Sequence, residues 1–403
     1  VLRVAPGDGV SGARPRTVLL TLGRLPKGLD IARALHGAGC RVIVAEPLAS
    51  HLVGASRAVA RSVVVTAPAV DRARYLEDLR RVVVEEGVEL VVPVSEEIVH
   101  VSFLRERLPP GVRLFAMPPE VLLRLHDKRS FVERCAAAAL AAPRTALLGE
   151  PAAAEIAASG EWVLKPVLSC SGRGLRFGAA GEPLPALGGE PRIVQRRVRG
   201  QLLSSFTIAR AGVVRATVVY RAAVLDGSVA VCFERMEPPP SALGWIAQLV
   251  AAERFDGFIS FDLILQDDGT VQGIECNPRG TSGLHFIEPG SLADALLEPD
   301  ADRPVRLRGE RLMQQFYPCL TRTQKSVFGA DFRHNLRCLL EARDVTWRRD
   351  DPWPLLSMPW QARGIILESL RRGVPFGEVA TLDVGWYGGE DSPVATAAKT
   401  GVS

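Results

Sequence analysis

Apolar residues recur along this chain in different rhythms, and each rhythm predicts its own kind of element. In the first third, short β-branched runs alternate with helix-period stretches. Thr17-Val-Leu-Leu-Thr-Leu-Gly-Arg24 reads as a buried strand ending at glycine, Pro26 to His36 as a helix closed by Gly39, and Arg41-Val-Ile-Val-Ala45 as a second strand. A strand near Ser62 to Thr66, a helix over Arg72 to Glu86 and the run Glu89-Leu-Val-Val-Pro93 continue the alternation. Such an order implies parallel strands joined by helical crossovers. Gly23-Arg-Leu-Pro-Lys-Gly28 lacks the G-x-G-x-x-G spacing of a dinucleotide fingerprint. Ser95-Glu96-Glu97 follows the last strand at its carboxyl end, where open α/β sheets place ligands. Glu96 is therefore a candidate substrate contact; a helix-capping serine with solvated acids explains the triplet equally well.

The middle of the chain reads as paired strands. Glu161-Trp-Val-Leu-Lys-Pro-Val-Leu-Ser-Cys-Ser-Gly-Arg-Gly-Leu-Arg-Phe177 is a strand carrying Lys165, a small-residue loop from Ser169 to Gly174, and a second strand. In that loop Ser169, Ser171, Gly172, Arg173 and Gly174 let backbone N–H groups approach phosphate oxygens and add hydroxyl and guanidinium donors, although a plain hairpin connection has the same composition. Before it, His126-Asp-Lys-Arg-Ser-Phe131 opens a helical pattern from Ser130 to about Leu140, with Lys128 at its entry. After it, Val213 to Val224 is a Val-rich strand. Arg215 and Arg221 lie an even number of residues apart on it, so they are candidate carboxylate anchors or solvated arginines of an outer face.

Gly257-Phe-Ile-Ser-Phe-Asp-Leu-Ile-Leu-Gln-Asp-Asp-Gly-Thr-Val-Gln-Gly-Ile-Glu-Cys-Asn-Pro-Arg279 carries the most chemistry. Two apolar runs flank an Asp-Gly turn, which predicts a hairpin. With Asp268 and Gly269 central in the turn, Asp267 faces Thr270 and Asp262 falls directly opposite Glu275; Asn277 follows on the same face. Opposed carboxylates repel at roughly 4.5 to 5.5 Å between Cβ atoms. A divalent cation compensates, and two carboxylates with an amide oxygen are hard ligands suited to Mg²⁺. The competing reading is an acidic face in water.

The 403 residues, 47% of them apolar, suffice for two or three cores. Forty-nine basic against 45 acidic residues give +4, too mild to argue for nucleic acid or a membrane surface as partner. Seven cysteines without C-x-x-C spacing suggest reduced thiols in the cytoplasm. Cys170 and Cys276 sit within the candidate chemistry but read as small packing residues. No apolar run reaches the roughly 18 residues that would span a bilayer, and residues 1–16 read as a loose Gly/Pro/Arg-rich leader. Past Asp300-Ala-Asp-Arg-Pro304, helical periodicity returns over Asp331 to Arg343 and over Gln361 to Arg372, entered through Pro359. Trp347, Trp353, Trp360 and Trp386 are expected to pack this segment onto the body; a substrate pocket or a dimer interface are the alternatives.

Taken in order, Asp127-Lys128, the Val-Leu-Lys165-Pro strand, the Ser/Gly loop, Gln195 in Ile-Val-Gln-Arg-Arg-Val198, and Asp262 with Glu275-Cys-Asn277-Pro-Arg279 resemble the ATP-grasp carboxylate–amine ligases, particularly the branch with a carbamoyl-phosphate-synthase-like core. The resemblance runs from Thr17 to about Pro289. It implies an α/β and α+β protein: a preATP-grasp parallel α/β domain over 17–120, an ATP-grasp core of two α+β subdomains over 121–300 with the ATP lid at about 140–198, and a mixed appendage over 301–403. It also implies roles. Lys128 and Lys165 neutralise ATP phosphates, Ser169 to Gly174 close over them, and Gln195 to Val198 hold the adenine. Asp262, Glu275 and Asn277 ligate Mg²⁺, with Mn²⁺ as an alternative, and Arg279 is the catalytic arginine at the transferring phosphoryl group. Relatives place acids at the positions of Arg196 and Leu202, the second of which holds the ribose, so this sequence departs from the pattern there. The implied reaction activates a carboxylate as an acyl phosphate and passes it to an amine. The substrates are small molecules, and a homodimer is the implied assembly. Two alternatives are a nucleotide-binding regulatory or degenerate member and a carboxylase or kinase acting on bicarbonate or a phosphate acceptor.

Overall fold

The computed structural model describes residues 15–169, 173–372 and 376–388. Most of the expected leader, together with Cys170, Ser171 and Gly172, lies outside these. The chain opens with β1 (Thr17–Leu20), α1 (Pro26–Gly37), β2 (Arg41–Glu46), β3 (Arg61–Val64), α2 (Arg72–Glu86), β4 (Leu90–Val92), α3 (Ile98–Ser102) and β5 (Arg113–Leu114). The strands form a parallel sheet in the order β3-β2-β1-β4-β5. Proline in the first turn starts α1, and α2 begins where the Asp71 carboxylate accepts from the Arg74 N–H and stops at Gly87 in the left-handed region. Val18, Leu20, Val42 and Val44 face one core and Leu19, Ile43 and Val91 another, so both faces of this sheet are buried.

Two helices, α4 (Pro119–His126) and α5 (Lys128–Ala137), lead into a four-stranded antiparallel sheet ordered β6-β9-β7-β8. It comprises β6 (Thr145–Leu147), β7 (Trp162–Pro166), β8 (Arg176–Gly178) and β9 (Arg192–Arg196), with α6 (Pro151–Ser159) against it. Asp127 caps α5 by accepting from the Ser130 N–H, so the helix begins at Lys128, two residues before the position read from the sequence. That puts Lys128 in the first turn of a helix aimed at the loop after β7.

The third sheet runs β14-β13-β10-β11-β12-β15-β16. Its main strands are β10 (Gln201–Arg210), β11 (Val213–Asp226), β12 (Val229–Met236), β13 (Gly257–Leu265) and β14 (Val271–Asn277). Beneath them α7 (Pro240–Ala252) buries Trp245, Ile246 and Leu249, while α8 (Pro289–Leu297) buries Leu292 and Leu296. Gly273 leaves room for the Trp245 ring; a Cβ there would stand 2.3 Å from it and 3.2 Å from Phe131. Gly273→Val should therefore cost about 2–3 kcal/mol by overpacking, read as the shift of a denaturant unfolding curve; an unchanged midpoint would contradict this packing.

Residues beyond 300 extend the same sheet through the short β15 (Leu312–Gln314) and β16 (Arg343–Asp344), with α9 (Phe316–Lys325) and α10 (Phe332–Glu341) on the outer face over Cys232, Cys319 and Cys338. Then follow α11 (Trp353–Gln361), α12 (Arg363–Arg372) and α13 (Phe376–Leu382). Pro359 lies inside α11 rather than at the entry of a later helix. The tryptophan expectation needs correction too. Trp347, Trp353 and Trp360 are 45%, 66% and 74% exposed, and only Trp386 packs against the core under β13. The reason is local: α11 buries Pro354 against the body, which turns Trp353, Leu356 and Trp360 outward on one stripe. Among the described residues no helix is long and apolar enough to cross a membrane.

Candidate active site

The hairpin β13–β14 supplies the acidic pair. Asp262 stands directly opposite Glu275, and Ser260 opposite Asn277, on one face of the sheet. Next to the turn the ladder is one residue out of step with the count from the sequence. Gln266 rather than Asp267 bonds Thr270, and Leu263 faces Gly273. Ile274 is the extra residue of a bulge that restores the pairing at Glu275. Its carbonyl accepts a 3.0 Å hydrogen bond from Lys165 Nζ, so the bulge brings the β7 lysine beneath the acidic pair.

Lys128 approaches the same spot from α5. Its Nζ lies 3.4 Å from Glu275 Oε1 and donates to the Ser169 carbonyl at 2.9 Å and to Ser169 Oγ at 3.2 Å. Both lysines are buried. Gly174, at the far end of the loop, has φ of +69°, and a Cβ on it would press on Pro166 at 3.0 Å. Arg173 pairs with Glu190 at 2.5 Å. Gln195 lies in β9 and donates to Thr145 Oγ1 at 2.9 Å, with Val198 half-buried just beyond the strand. Arg196 donates to Ser159 Oγ at 3.0 Å, and Leu202 is 54% exposed.

Arg279 closes the other side. Its Nη2 donates to Asn277 Oδ1 at 2.9 Å and sits 2.5 Å from Glu96 Oε1, so the sheet-end acid meets the arginine rather than solvent. Glu97 does something different: it accepts from Thr21 Oγ1 and the Val94 and Ser95 N–H groups, and burial raises its carboxyl above the usual range. Arg215 and Arg221 do not converge. Arg215 is the extra residue of a second bulge and bonds Asp302 and the Ala301 carbonyl, whereas Arg221 pairs with Glu234 across β11–β12. A bulge breaks the even-spacing rule on which their shared side depended.

Several contributors gave no sequence signal. Ser204 on β10 donates to Asp262 Oδ1 at 2.7 Å, and Lys27 Nζ reaches the Gly280 carbonyl at 2.8 Å. Tyr220 and Ser260 both bond Thr281 Oγ1, fixing the turn after Arg279. Lys27, Ser204 and Tyr220 are far from the motif in sequence, and only the paired strands and the docked amino-terminal sheet bring them in, whereas Ser260 lies within the hairpin itself. Cys276 is buried and burial raises its thiol well above the usual range, so it packs rather than attacks.

The electrostatics follow from crowding. Burial, then Glu275, pushes the Asp262 carboxyl up to about 6. Burial acts on Glu275 in the same sense, but Lys128 and Lys165 outweigh it and hold that carboxyl below its usual value. Burial and the neighbouring Lys128 bring the Lys165 ammonium down to about 8. Since the folded state holds the Asp262 proton more tightly than the unfolded chain, protonation adds stability that is fully present below about pH 4 and is lost as pH rises through about 6. In metal-free protein the stability of wild type relative to Asp262→Asn should fall by about 2 kcal/mol over that interval. A difference independent of pH, from unfolding curves of both proteins, would contradict the burial of this carboxylate.

No group of three or more His, Cys, Asp or Glu side chains is placed to hold a metal among the described residues. The acidic set is a pair, and any cation there would draw its third protein oxygen from the Asn277 amide, whose Nδ2 lies 3.5 Å from Asp262 Oδ2. A turned amide would present its oxygen to a cation instead, giving up the bond that Oδ1 now accepts from Arg279 Nη2. The donor chemistry of Asp262, Glu275 and Asn277 thus fits Mg²⁺.

No protein-family model matches the chain, and no curated protein matches it. Solved structures do. An L-amino acid ligase from Bacillus licheniformis superposes with a TM-score of 0.56 at 15% identity, covering 73% of this chain and 79% of its own. A carboxyaminoimidazole ribonucleotide synthase from Aspergillus clavatus complexed with ATP gives 0.57 at 17% identity over 75% and 82%. A biotin carboxylase from Campylobacter jejuni gives 0.59 at 13% identity over 73% and 74%. These are ATP-grasp ligases, and the chain has the ATP-grasp fold.

Proposed function

We propose that the protein is an ATP-dependent ligase that activates a carboxylate as an acyl phosphate and joins it to an amine, forming an amide and releasing ADP and phosphate. The observation that carries this reading is the convergence of Lys128, Lys165 and Arg279 on the opposed pair Asp262–Glu275, between the four-stranded sheet and the large one. Three cations around two buried carboxylates suit a polyphosphate and its counter-ion, because burial brings the Lys165 ammonium down to about 8 even beside Glu275 and Asp262, and a bound polyphosphate would relieve that cost.

In this reading Lys128, Lys165 and the loop from Ser169 to Gly174 bind the phosphates, and Gln195 to Val198 line the adenine side. Asp262, Glu275 and Asn277 would hold Mg²⁺, which when bound would neutralise phosphate charge. Arg279, fixed by Glu96, steadies the phosphoryl group as it passes to the acid's oxygen. The amine then adds to the acyl carbon, loses a proton, and phosphate leaves. Glu96, placed between Arg279 and the amino-terminal sheet, lies where an acid or amine would enter; Arg215 and Arg221, already paired elsewhere, are weaker claimants. The buried free thiols among the described residues suit the cytoplasm. The outward stripe of Trp353, Leu356 and Trp360 suits a homodimer.

Arg196 and the exposed Leu202 favour a second reading, a protein that grips nucleotide without ligating. Hydroxylamine separates the two, since it captures an acyl phosphate without knowledge of the natural amine. MgATP, hydroxylamine and pooled carboxylic acids should yield a hydroxamate with at least one pool. MgATP binding with no hydroxamate from any pool would favour the second reading.

A further inference from the structure

The last described residues run back over the amino-terminal sheet and end beside the phosphate loop. Asp383 bonds Arg24 at 2.6 and 3.0 Å, and Arg24 is itself buried against Glu46. The Ala69 N–H donates to the Asp383 carbonyl at 3.1 Å, and His100 Nε2 lies 3.2 Å from the Gly385 carbonyl. Trp386 rests 4.9 Å from the His100 ring and 5.8 Å from Phe103, with the Arg72 guanidinium 5.2 Å above it. The next residue crosses the cleft. The Arg173 guanidinium stands 5.1 Å over the Tyr387 ring while it pairs with Glu190 on its own side. A Cβ on Gly388 would lie 4.0 Å from Leu168, one residue before the serine that Lys128 grips.

We propose that residues 383–388 are a strap that belongs to the active site, with Tyr387 as a positioning residue that holds Arg173, beside Gly174 at the exit of the phosphate loop, in register with the amino-terminal body. The proposal rests on the ATP reading of the site. Four anchors on the amino-terminal body fix the strap before it reaches the loop, so little freedom is lost when the Tyr387 ring meets the guanidinium. A cation over an aromatic face is a modest contact individually. Here it joins the two sides that must stay aligned around a triphosphate, which turns a modest contact into a determinant of nucleotide affinity.

The test titrates MgATP into full-length wild type, Tyr387→Phe and Tyr387→Ala by calorimetry and follows amide exchange of the segment from Lys165 to Gly174. The phenylalanine variant keeps the ring and should retain most of the MgATP affinity that the alanine variant loses. The alanine variant should bind MgATP about 3- to 10-fold more weakly, exchange faster in that segment, and keep the unfolding midpoint of wild type. Wild-type affinity together with wild-type exchange in Tyr387→Ala would overturn the strap. Absence of MgATP binding by wild type, with exchange still faster in Tyr387→Ala, would sink the ATP reading and leave the strap contact standing.

Discussion

Glu275→Gln is expected to lower ATP-dependent turnover by about 10³-fold or more while the protein stays folded. The side chain keeps its size, so packing around Phe261 and Cys276 is preserved, and one charge of a buried, mutually repelling pair disappears. What goes with it is half of the anionic donor set and the partner of Lys128, 3.4 Å away. In the proposed site the phosphates would keep Lys128 and Lys165 and lose one of the two carboxylates that would hold their cation. Turnover and the thermal midpoint, measured on the same preparation, decide the matter. A fully active Glu275→Gln would refute the metal assignment for Asp262, Glu275 and Asn277 together.

The second large effect belongs to Arg279. Arg279→Lys should lower kcat by about 10²-fold and leave MgATP affinity within about threefold, because an ammonium taking the place of Nη2 beside Asn277 and Glu96 leaves nothing in place of the other guanidinium N–H groups. Lys128→Met should behave in the opposite way, weakening nucleotide binding first. If Arg279→Lys lost affinity rather than rate, the arginine would be a ground-state phosphate clamp and the proposed division of labour would be wrong.

How these residues meet was legible only in part. The alternation of β-branched runs and helix-period stretches predicts the parallel sheet and the order of its elements, and α2 falls on the expected residues. The acidic pairing was reached from the sequence by two errors that cancel. The turn takes one residue more than counted, Asp267 on the β13 side, and the extra residue Ile274 on the β14 side offsets it. A bulge has no local signature here. It exists because Lys165 takes the Ile274 carbonyl and because Gly273 must yield to Trp245, both tertiary causes. The same blindness misplaced Arg215. For Glu96 the sheet-end rule located the residue, but not Arg279, which arrives from nearly two hundred residues later. Beyond residue 300 helical periodicity predicts helices and nothing about where they dock. The reading of tryptophan as glue failed on three of four residues: in α11 the buried contact is made by Pro354, which leaves the Trp353 and Trp360 rings outward, and Trp347 lies in the exposed segment before that helix.

The most direct test uses oxygen. Once hydroxylamine trapping has identified an accepted acid, that acid is labelled with ¹⁸O in its carboxylate and turned over with MgATP and an amine. Transfer of one ¹⁸O into inorganic phosphate, with ADP as the nucleotide product, is the predicted result, since the acid's oxygen must attack the γ-phosphorus. ADP formation with unlabelled phosphate, or label appearing in AMP, would contradict carboxylate activation through an acyl phosphate.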